Sequence, residues 1–103
     1  MGRWAQRRVR GGGPPTAAAI EITIATHDPI DDFSFLDYSA DITGIPFNAA
    51  DYTTNPSGLT GIAVNQTAPD QISVLFAMLY PADTSISYTG SEPGILTPQT
   101  VNY

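Results

Sequence analysis

Apolar and polar residues alternate in short runs along most of this chain, and prolines separate the runs. "IEITIAT" sets Ile20, Ile22 and Ile24 on one face and Glu21 and Thr23 on the other, the period of a half-buried strand. "FSFLDYSADI" begins with Phe33 and Phe35 in one phase and continues with Leu36, Tyr38, Ala40 and Ile42 in the other. One inserted residue exchanges the two faces of a strand, so the slip predicts a β-bulge near Phe35–Leu36. "DYTT" predicts a short strand, "GIAVN" another with Ile62 and Val64 inward, and "QISVLFAML" one that buries Ile72, Val74 and Phe76. "TSISYTG" turns Ile86 and Tyr88 inward, and "TVNY" does the same for Val101 and Tyr103. Pro29, Pro46, Pro56, Pro69, Pro81, Pro93 and Pro98 stand in the gaps, where a missing N–H interrupts no central ladder. Seven short strands at that spacing predict an all-β, antiparallel β-sandwich. Helix signals reduce to a single turn in "FNAADY", with Asn48 placed to cap it.

The residues before Ile20 have a different texture. "GGGPPTAAA", from Gly11 to Ala19, mixes flexible glycines, a stiff diproline and small residues, which is a linker composition. Fully extended it would reach roughly 30 Å. The chain thus divides into a basic, Gly/Pro-rich arm and linker over residues 1–19 and a sandwich over residues 20–103. Charge follows the same boundary. Arg3, Arg7, Arg8 and Arg10 are the only cations, there is no Lys, and all ten acidic residues lie between Glu21 and Glu92. The arm therefore carries +4 and the body −10, together the formal −6. Such a body repels nucleic acid and anionic lipid, so those partners would have to be met by the arm.

With no cysteine there is no disulfide framework, thiol nucleophile or thiolate metal site. A single small core leaves little area to line a deep cleft, so no large cofactor is expected. The arginines run into glycine and proline instead of an apolar stretch, so neither a signal peptide nor a membrane span is expected, and the virion or the cytoplasm is the expected location.

The closing stretch, "PADTSISYTGSEPGILTPQTVNY", resembles the last two strands of bacterial Ig-like repeats found in surface and phage tail proteins. Asp83, Tyr88, Thr89, Gly94, Ile95 and Val101 fit that layout, and "IEITIATHDPID" resembles the opening strand and the acidic turn after it. The Asp/Ala-Gly-Asn turn usual before the last strand is replaced here by "LTPQT". The resemblance covers roughly residues 20–103 and implies an Ig-like fold with a scaffold or adhesion role and no chemistry. Because no export signal is expected, the role this favours is an accessory component of a phage particle, docked by its arm. The alternative is a carbohydrate-binding or adhesion module of a bacterial surface that stacks glycans on Tyr52, Tyr80 and Tyr103.

Candidate chemistry is sparse. "THDPIDD" places His27, Asp28, Asp31 and Asp32 in one window, and an oxygen-rich loop suits calcium. The spacing and glycine of an EF-hand are missing, and zinc would need more than one His, so the expectation is an acidic turn without metal. Ser85, Ser87 and Ser91 lack a nucleophile elbow. Asp41, Asp51 and Asp70 fall in separate turns, although a glycosidase needs two carboxyls flanking one cleft. "NQT" at Asn65 is a glycosylation sequon only in a secretory pathway. No catalytic residue, metal or cofactor is expected, and the chain reads as a non-enzyme. The expected partner-binding residues are Arg3, Trp4, Arg7, Arg8 and Arg10. Arg and Trp dominate binding hot spots, and the guanidinium fork matches carboxylates. The expected partner is a protein, either assembly subunits or another copy of the acidic body.

Overall fold

In the computed structural model, residues 19–103 are described, and they fold into two antiparallel sheets facing each other. The strands are β1 (Ile22–Asp28), β2 (Phe33–Tyr38), β3 (Tyr52–Asn55), β4 (Ala63–Ala68), β5 (Gln71–Leu75), β6 (Ser85–Tyr88) and β7 (Gln99–Asn102). One sheet has the order β1-β2-β5-β4 and the other β3-β6-β7. That split is the strand arrangement of a constant-type immunoglobulin sandwich, so the fold is Ig-like.

Alternation explains which side chains fill the space between the sheets. Leu36, Tyr38, Ile72 and Val74 point inward from the four-stranded sheet, and Tyr52, Ile86 and Tyr88 meet them from the other, all essentially without solvent contact. Loop residues close the ends: Ile42, Ala49 and Ile95 at one, Phe76 and Leu79 at the other. The expected turn is present as a single 3-10 turn over Ala49–Asp51, with the Asn48 side chain accepting from the Ala50 N–H. Gly61 lies so close to this turn that a Cβ on it would meet the Ala49 carbonyl oxygen at 2.5 Å and Val74 at 2.7 Å. Val64, Val101 and Tyr103 are half-buried against the core.

Three expectations about phase are corrected. The irregularity lies in β1, between Ile22 and Ile24, and not near Phe35–Leu36. Ile22 and Ala25 are therefore inward, while Ile24 is 57% exposed. β2 is regular: Ser34, Leu36 and Tyr38 face in, and Phe33 and Phe35 lie half-buried on the outer face. Ile62 also points out, just ahead of β4.

Before β1, Ile20 makes a parallel bridge to Ile95 in the β6–β7 loop, its N–H donating to Gly94 and its carbonyl accepting from Leu96. The Ile22 N–H then donates to Gln99 Oε1 at 2.8 Å. The arm thus joins the body at the end formed by the β2–β3 and β6–β7 loops. At the opposite end lie the β1–β2 turn, the β3–β4 and β5–β6 loops and Tyr103.

Candidate functional site

Arg3, Trp4, Arg7, Arg8 and Arg10, the expected partner-binding residues, lie outside the described residues. The other candidate groups gather mostly at the β1–β2 end of the sandwich. Asp28 Oδ1 accepts from the backbone N–H groups of Ile30 and Asp31, both at 3.2 Å, which folds the turn onto its own side chain. Asp32 has φ 63, a left-handed conformation that Asp tolerates better than most residues. That geometry aims its carboxylate at the Leu79 N–H, 2.9 Å away, while its carbonyl accepts from Phe76. The acidic turn and the β5–β6 loop are thereby stitched together. Asp28 and Asp32 are engaged in backbone hydrogen bonds, and among the described residues no group of three or more His, Asp or Glu is arranged to hold a metal.

His27 lies beside them. Its Nε2 is 2.8 Å from the Tyr80 carbonyl oxygen, which can only accept, so Nε2 carries the proton. Nδ1 is left buried without a partner. The ring stacks on Tyr103 with centroids 4.3 Å apart, and the Tyr103 hydroxyl meets Ser34 Oγ at 2.7 Å. Burial pushes the Tyr103 hydroxyl above its ordinary value, against the opposing hydrogen bond from Ser34. In this group the imidazole proton is directed at a carbonyl, and no hydroxyl is presented to Nδ1 as a nucleophile would be.

Asp83, singled out by the resemblance but given no partner by the sequence, is buried in the same half of the molecule. Its carboxylate accepts from the Ser57 N–H at 3.0 Å and the Ser57 hydroxyl at 2.6 Å. Burial would raise its pKa, but the Ser57 hydrogen bonds, together with the Thr54 hydroxyl and the nearby His27, outweigh that and hold it below the usual carboxylate range.

The remaining candidates are structural or dispersed. Asp41 folds its own turn by accepting from Thr43 N at 2.8 Å, and the Thr43 hydroxyl and N–H lower its pKa. Asp51 ends the 3-10 turn and Asp70 sits between β4 and β5, so no two of these three share one turn. Asn65 is exposed on β4. Asn55 donates to the hydroxyls of Ser85 and Ser87, and Ser87 pairs with Thr100, forming an uncharged polar row across β3, β6 and β7. Ser91 is exposed in the β6–β7 loop.

The three tyrosines proposed as stacking platforms do not act as a set. Tyr52 has no solvent exposure, its hydroxyl is 2.6 Å from that of Tyr38, and burial drives both phenols well above their ordinary pKa. It is a core residue because its polar tip finds a partner inside. Tyr103 is covered on one face by His27. Tyr80 remains exposed at 46%.

The surface feature that alternation did not predict is apolar. Ile30 is 90% exposed, Ile62 60%, Met78 51% and Tyr80 46%, and all four belong to the end closed by the β1–β2 turn. A signal was present: isoleucine between proline and aspartate in a turn has no local reason to be there. Among the described residues no pocket opens in the surface, and no helix is long and apolar enough to cross a membrane. No protein-family model, curated protein or solved structure matches this chain.

Proposed function

We propose that this protein is a non-catalytic interaction domain, an accessory component of a larger assembly such as a phage particle, held there by its N-terminal arm. The observation that carries the reading is the sorting of charge: all four arginines, the chain's only Lys or Arg residues, lie within residues 1–10, while ten carboxylates lie on the body. An arm that shares no cations with its own domain keeps its guanidinium groups for another acidic surface. The engagement of Asp28, Asp32 and Asp83 in holding loops supports a scaffold role for the body. The phage assignment is supported by the resemblance of residues 20–103 to Ig-like repeats.

The test is incorporation into particles produced with variant copies of the gene. Deleting residues 1–15 removes the protein from sedimented particles while the isolated variant keeps its β-type circular dichroism. Changing all four arginines to Lys keeps the charge but loses the planar fork, and occupancy falls clearly. Full incorporation of the deletion variant would show that the arm is only a tail.

A further inference from the structure

Four of the exposed large apolar residues, Ile30, Ile62, Met78 and Tyr80, lie at the end of the sandwich opposite the point where the arm joins it, whereas Ile24 lies within β1 and Leu96 beside the arm's attachment. The arm enters at Ile20, fixed to Gly94 and Leu96 in the β6–β7 loop. Ile30, Met78 and Tyr80 lie on the β1–β2 turn and the β5–β6 loop, which the Asp32–Leu79, Asp32–Phe76 and His27–Tyr80 hydrogen bonds hold as one unit. Ile62 stands at the start of the neighbouring strand, its N–H donating to Leu75. Asp31 follows Ile30 and Asp28 lies two residues before it, so two carboxylates border the apolar surface on the side of this turn. An apolar centre bordered by carboxylates is the complement of a segment carrying one Trp among four Arg.

We propose that this end binds residues 1–10 of a second copy of the same chain, Trp4 against Ile30, Met78 and Tyr80, and the arginines toward Asp28 and Asp31. This rests on the reading of the arm as a docking tether and names its partner. Reach favours a neighbouring copy over the chain's own body. From Ile20 to the β1–β2 turn is about 25 Å along β1, at about 3.3 Å per residue. To seat Arg10 there on its own body, the nine residues of Gly11–Ala19 would have to double back over most of their roughly 30 Å reach, a stretch that eases only for Trp4, six residues further out. A copy stacked end to end presents its apolar end directly where the arm emerges, with the linker relaxed. The contact joins two different surfaces, so it is heterologous, and repeated it gives a ring or an open row of molecules.

The test uses full-length chains. Trp4 is the only tryptophan, so its emission reads docking directly. With rising protein concentration the emission shifts to the blue as the mass measured by sedimentation increases. Ile30→Lys with Met78→Lys alters exposed positions, leaves the circular dichroism unchanged and abolishes both responses. Trp4→Ala weakens association about thirtyfold, the loss expected for a hot-spot tryptophan. Mixing the two variants, at a concentration where the full chain associates and the thirtyfold-weakened Trp4→Ala chain does not, is decisive: one keeps its arm and the other its apolar end, so together they form a complex of two chains that grows no further. A blue-shifted Trp4 in a chain that stays monomeric at all concentrations would overturn the proposal in favour of docking on its own body. Association that survives Ile30→Lys with Met78→Lys but not Trp4→Ala would also overturn it, while leaving the arm as the tether. A solvent-like Trp4 in a monomer at every concentration would overturn it too, and incorporation of the arm deletion into particles would then decide separately whether the arm docks elsewhere.

Discussion

Asp83 illustrates how a single polar side chain can be retained inside a small core. Its carboxylate is buried and held by two hydrogen bonds from Ser57, which with Thr54 and His27 keep its folded-state pKa below the unfolded value. A group depressed in this way adds stability that is fully present above the unfolded pKa, about 4, and is lost as pH falls through the lower folded value. Ser57→Ala is expected to cost about 1.5–3 kcal/mol near neutral pH, the worth of a hydrogen bond to a charged group. That cost shrinks as pH falls from about 4, where the unfolded carboxyl protonates, through the lower folded value, and denaturant melts across pH 2–7 measure it. A cost that did not change with pH would assign the effect to packing. The resemblance marked Asp83 as part of a layout, but nothing in "PADTS" shows that it is buried or what holds it, because its partner lies 26 positions away in sequence. Asn48, whose partner is two residues away, was legible for the opposite reason.

At the level of elements, alternation located the strands well and their faces less well. "QISVLF" and "SISY" read correctly because both are regular and flanked by clear turns. β1 misled because its irregularity falls between identical residue types: with isoleucine at 20, 22 and 24, nothing in the pattern marks the slip between Ile22 and Ile24. In β2 the half-buried Phe33 and Phe35 on the outer face imitated an inward phase, and their rings lean on each other, centroids 6.1 Å apart. The corrected register makes opposite forecasts for two neighbouring isoleucines. Ile24→Thr changes stability by no more than about 0.5 kcal/mol, as for an exposed site. Ile22→Ala costs about 2–5 kcal/mol, as for a core site. Equal losses in thermal or urea melts would restore the uninterrupted phase.

The molecule as a whole carries ten carboxylates on a body without Lys or Arg, so folding draws like charges together. A chain starting at Ala18 is expected to give a β-type spectrum and one cooperative melt. Its melting temperature should rise when salt goes from about 0.01 M to about 0.15 M, because the screening length falls from about 30 Å to about 8 Å. A salt-independent melt would mean that the carboxylates lie too far apart to repel. The sandwich class was legible from spacing, whereas the division of strands between sheets depends on non-local pairings such as β2 with β5 that no local pattern encodes. The bridge between Ile20 and the β6–β7 loop is one of these pairings, and its direction has a mechanical consequence. The arm leaves from one end of the sandwich and Tyr103 lies at the other, while β1 runs antiparallel to β2 in between. Tension on the tether therefore pulls β1 along its own axis. The bonds of Ile20 to Gly94 and Leu96 and the β1–β2 ladder are loaded side by side in shear and must fail together rather than unzip one after another. Under sustained pull, the lifetime of the body is set by the rate of that concerted rupture and not by its equilibrium stability.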